Sequence, residues 1–117
     1  MKYSGGCHCG RVRFDVEMEF EKAFTCSCAV CQKMGTLLVY VNAEKLTLHA
    51  GETALTEYSV GKGKKLIHHY FCKVCGISPW AKGTALNGQD MRAINIRCLD
   101  TIDLSKIPVV KPEVKSV

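Results

Sequence analysis

From Gly10 to Glu17 hydrophobic and polar side chains alternate without a break. Val12, Phe14 and Val16 fall on one face, and Arg11, Arg13, Asp15 and Glu17 on the other, the period of a half-buried β-strand. Leu37 to Val41 is instead a short continuous run rich in β-formers, which predicts a strand covered on both sides, and Asn42 could cap a single helical turn after it. Further strands are predicted over Leu46 to His49, Leu55 to Val60, Leu66 to Phe71 and Met91 to Cys98. Turns at Gly51, Gly61/Gly63 and Asn87-Gly88 separate them, a spacing that favours a mainly β domain with only short helical turns. No stretch holds a 3.6-residue period for 12 residues, and no fixed-length repeat occurs.

The 117 residues, 47% of them hydrophobic, are enough for one domain with a real core. The expected organisation is a domain over residues 1–104 and an extended tail over 105–117, where two of the three prolines fall. The chain opens without an apolar run suited to export and has no membrane-length segment, so a cytoplasmic protein without a membrane partner is expected. The net charge of +5 is scattered. Lys62, Lys64 and Lys65, beside Gly61 and Gly63, read as a solvated turn, and aromatic and basic residues are not interleaved as nucleic-acid binding would require.

Chemistry enters with the eight cysteines. Seven fall into Cys7-His8-Cys9, Cys26-Ser27-Cys28-Ala29-Val30-Cys31 and Cys72-Lys73-Val74-Cys75; Cys98 stands alone. In a reducing compartment such spacings point to a soft cation, zinc above all, rather than to disulfides. Cys9-Gly10 and Cys75-Gly76 share a glycine able to take positive φ as the chain wraps a metal. They read as half-sites of one closed centre of Cys7, Cys9, Cys72 and Cys75. Cys26, Cys28 and Cys31 are left as a three-ligand set with an open position, and open positions can do chemistry. His68 and His69 should point to opposite faces of their strand, so one could line this site or ligate the metal, although surface or supporting roles are the simpler reading. His8 should point away from the metal, His49 stands isolated, and Cys98 is most simply a core thiol, with a fourth ligand or reactive thiol near the second zinc as the alternative. Trp80, Tyr70, Phe71 and Tyr40 read as core or pocket-lining aromatics. Arg97 and Asp100 could form an ion pair around a turn, the simpler reading, or meet a polar substrate.

The segments Gly5-Gly6-Cys7-His8-Cys9-Gly10-Arg11-Val12-Arg13-Phe14, Cys26-Ser27-Cys28-Ala29-Val30-Cys31, Phe71-Cys72-Lys73-Val74-Cys75-Gly76 and Arg97-Cys98-Leu99-Asp100 resemble, in order and spacing, the glutathione-dependent formaldehyde-activating enzymes and their relatives, which include centromere protein V. The resemblance implies a β-tent of antiparallel sheets carrying two zinc ions. Cys7, Cys9, Cys72 and Cys75 would be the structural site, and Cys26, Cys28 and Cys31 the catalytic one. It also implies a carbon–sulfur lyase-type enzyme whose partners are a small thiol, glutathione, and an aldehyde, formaldehyde in the founding members. Ile77-Ser78-Pro79-Trp80 would then shape the substrate pocket. The alternative is a non-catalytic zinc scaffold that binds a macromolecule.

Overall fold

The computed structural model describes residues 1–26 and 29–111. Ten strands dominate: β1 (Lys2–Gly6), β2 (Arg13–Glu17), β3 (Ala23–Phe24), β4 (Leu38–Asn42), β5 (Leu46–Ala50), β6 (Leu55–Val60), β7 (Ile67–Cys72), β8 (Trp80–Thr84), β9 (Asp90–Asn95) and β10 (Val109–Val110). One short helix, α1 (Ala29–Met34), and a few 3-10 turns complete the described chain. The strands form a three-stranded sheet in the order β1-β2-β5 and a seven-stranded sheet in the order β10-β3-β4-β9-β8-β7-β6. All pairings are antiparallel except β10 on β3.

The alternation in β2 explains how the sheets meet. Val12, Phe14 and Val16 are 0%, 1% and 0% exposed and form, with Val39, Val41, Trp80, Ile94 and Ile96, the core between the sheets. Phe14 meets Trp80 edge-on, at 5.5 Å between ring centres and 77° between planes. The opposite face of β2 carries Asp15, which accepts from Ser4 at 2.6 Å and pairs with His49 at 2.7 Å. His49 is therefore tied to its neighbouring strand rather than isolated.

Three details depart from the sequence reading. β4 is covered on both sides only at its start: Val39 and Val41 enter the core and Leu38 is buried on the opposite face, but Tyr40 on that face is 50% exposed, because the outer face of the large sheet is hollow at its centre. β9 stops at Asn95, whose side-chain oxygen accepts from the Arg97 backbone N–H at 3.2 Å and caps a 3-10 turn over Ile96–Cys98. Cys98 still reaches the core through that turn. Asp100 pairs with Arg13 of β2, not with Arg97, because both guanidinium NH groups of Arg13 reach its carboxylate. Asn42 does precede a 3-10 turn, Ala43–Lys45, although its side chain makes no capping bond.

Candidate functional site

Two turns build the four-cysteine centre. Cys7 and Cys9 follow β1; Cys72 ends β7, and Cys75 lies in the turn leading to β8. Both turns close in the same way. The Cys7 N–H donates to the Val12 carbonyl at 3.1 Å and the Cys72 N–H to the Ile77 carbonyl at 2.9 Å; the Gly10 and Gly76 N–H groups donate back to Cys7 and Cys72. Gly10 and Gly76 take φ of +85° and +79°, the left-handed region that a side chain would strain.

The four sulfurs lie within 4.8 Å of one another. Cys7 Sγ to Cys9 Sγ and Cys9 Sγ to Cys72 Sγ are each 3.6 Å. Four thiolates about 2.3 Å from a tetrahedral zinc stand about 3.8 Å apart, so the residues fit such an ion, and the all-sulfur donor set suits it. Backbone amides support the negative charge. The Val12 N–H reaches Cys7 Sγ at 3.3 Å. Hydrogen bonds from the backbones of Cys9 and Ile77 hold the Cys75 thiol down at about 6. Cys9 is lowered first by the Arg11 backbone and then by the Arg11 side chain, whereas burial pushes Cys7 up. Arg11, read from the sequence only as an outward residue of a strand, is thus an ion partner of this centre. A cation directly after Cys-x-Cys-Gly is the signal that could have found it. His8 is exposed, as expected.

Of the second cysteine set, Cys28 lies outside the described residues. Cys26, half-buried after β3, and Cys31, 7% exposed on α1, both line a cavity of about 260 Å³ on the outer face of the large sheet. His69 lines it too and is 4% exposed, while His68 turns to the other face and pairs with Glu57 at 2.5 Å. The opposite orientation of the two histidines follows from the pleat of β7. Among the described residues no hydrogen bond to the His69 ring is found, and the residue forms part of the cavity wall. Desolvation lowers the His69 pKa and keeps the imidazole neutral at pH 7.

Cys98 is 9% exposed; its thiol points at the Ser78 carbonyl, 3.8 Å away, and burial raises its pKa to about 11. Ser78 donates to the Tyr70 carbonyl at 2.7 Å, and Pro79 and Trp80 are buried. In the Ile77–Trp80 segment only Pro79 and Trp80 are buried, Ile77 is exposed, and Ser78 and Trp80 line a small void shared with Cys31 and His69. No described helix is long and apolar enough to cross a membrane.

Comparison with known proteins agrees with this geometry. The family model of the glutathione-dependent formaldehyde-activating enzyme matches residues 2–115. A crystal structure of a Rhodobacter sphaeroides protein superposes with a TM-score of 0.77 at 27% identity, covering 94% of this chain and 100% of that one.

Proposed function

The chain belongs to the glutathione-dependent formaldehyde-activating enzyme family, and from that premise we propose that it is a zinc-dependent enzyme of the carbon–sulfur lyase type. Its substrate is a small thiol adduct, with glutathione and formaldehyde or another aldehyde as the two halves. Cys7, Cys9, Cys72 and Cys75 hold a structural zinc, and Cys26, Cys28 and Cys31 hold a second. The setting is a reducing, cytoplasmic one, in which these thiols stay available.

The observation that carries this reading is the shared cavity: Cys26 and Cys31, from separate elements, line one recess together with a buried histidine. A zinc held there with one exchangeable position would lower the pKa of a substrate thiol and favour its thiolate. The chain's own residues do the rest. His69, neutral and in the cavity wall, is suited to accept the thiol proton and return it to the carbonyl oxygen. In the forward direction a sulfur–carbon bond forms, the carbonyl π bond breaks, and the thiol proton ends on oxygen; the reverse splits the adduct. No oxidant or reductant is consumed.

Native mass spectrometry during titration with reduced glutathione tests the proposal. Two zinc ions and saturable glutathione binding are expected for the wild type. Cys31→Ser should keep one zinc and the fold but lose adduct turnover. A protein with one zinc and no glutathione binding would overturn the reading.

A further inference from the structure

The cavity beside Cys26 and Cys31 is far larger than a one-carbon aldehyde needs. Its 260 Å³ equals about nine waters at about 30 Å³ each. Its shape follows from strand register. Across β4, β9, β8 and β7 one row reads Tyr40, Ala93, Ala81, His69, each directly paired with the next. Two alanines between two rings leave a trough. At about 4.8 Å per strand, the backbones of Tyr40 and His69 stand about 14 Å apart across it. Gly83 and Met91, paired in the adjoining row, extend the same floor and wall.

The lining is apolar in character. Lys82 is the only ionised residue among the described ones that line the cavity, and its ammonium interacts with Glu57 and Asp90, whose pKa values it helps to lower. Glutathione carries two carboxylates and an ammonium, and burying them unpaired would be costly. The tripeptide therefore suits the rim, and something apolar suits the trough.

We propose that the trough between Tyr40 and His69 binds an alkyl or aryl substituent on the aldehyde carbon, so that the preferred adduct joins glutathione to an apolar aldehyde rather than to formaldehyde. This rests on the thiol-adduct function proposed above and names the substrate class within it. Ala81 and Ala93 are the specificity-determining residues: their small side chains make the room.

The test is calorimetric binding of S-methylglutathione, S-butylglutathione and S-hexylglutathione to the metal-loaded full chain. Each buried methylene should strengthen binding by up to about fourfold, so S-hexylglutathione should bind at least about tenfold tighter than S-methylglutathione. Ala93→Leu, checked for folding by circular dichroism, should reduce that preference to about threefold or less. If this variant fails to fold, the wild-type chain-length series decides alone. Equal affinity for all three overturns the substituent pocket and leaves the thiol-adduct enzyme standing. Binding of none of the three while reduced glutathione still binds overturns the pocket alone, and binding of neither these nor reduced glutathione overturns both.

Discussion

Arg13 of β2 clasps Asp100, on the segment after β9, through both terminal guanidinium nitrogens, one of them at 3.1 Å. The contact spans most of the chain and lies on the flank of the small sheet, where the Asp100 N–H also donates to the Ser4 carbonyl at 2.9 Å. The hydrogen bond from Arg13 is the main cause that holds the Asp100 carboxyl below its ordinary value of 3.8.

Asp100→Asn should therefore destabilise the fold at pH 7 by about 1 kcal/mol or less, since both partners are more than a third exposed. A depressed carboxylate pKa contributes stability that is complete above the unfolded value and is lost as pH falls through the folded one. The gap between variant and wild type, measured by urea denaturation, should be constant from about pH 5 upward and close below about pH 4. A gap that widened in acid would contradict the assignment.

Phe14 of the small sheet meets Trp80 of the large one edge-on. Phe14 is 1% exposed, so Phe14→Ala should cost about 3–5 kcal/mol, and Phe14→Leu distinctly less. Chemical denaturation gives both values. A cost under about 1 kcal/mol for the alanine variant would mean that the sheets do not depend on this core.

Strands with a strong local pattern were legible in the sequence, and strands created by pairing were not. β2 and β6 announce themselves through alternation or β-forming residues. β1, with sequence KYSGG, does not; it exists because all five of its residues register against β2. β8, with sequence WAKGT, carries small residues where the outer face is hollow, so the pattern that would mark a strand is what the cavity removes. The four-cysteine cluster was legible because its thiols come as close pairs followed by glycine. The cavity was not, because Tyr40, Ala93, Ala81 and His69 meet only through register across four strands.

Cys98 should be chemically silent in the folded protein. Burial raises its thiol to about 11 from an ordinary 9.0, which cuts the thiolate fraction about a hundredfold at pH 8. Iodoacetamide labelling followed by peptide mass spectrometry should leave Cys98 unmodified in the native state and modify it fully in guanidinium. Rapid native labelling would place Cys98 at an accessible site instead of in the core.

Cys72 and Cys9 sit in the same centre in opposite surroundings, Cys72 at 0% exposure and Cys9 at the surface. If the centre holds zinc, its binding free energy is part of the folding free energy, and the latter is only about 5–15 kcal/mol for a domain. Cys72→Ser removes a ligand and leaves a hydroxyl buried among the remaining sulfurs, so it should abolish cooperative unfolding and lower the zinc count by one ion. Cys9→Ser leaves its hydroxyl in water and should be milder, keeping a folded protein with a reduced melting temperature. A strong chelator should take the wild type toward the Cys72→Ser state, and added zinc should restore it. Calorimetry alongside elemental zinc analysis reads all three. A wild type that kept its melting temperature after losing its zinc would show that the four thiols do not hold the fold together.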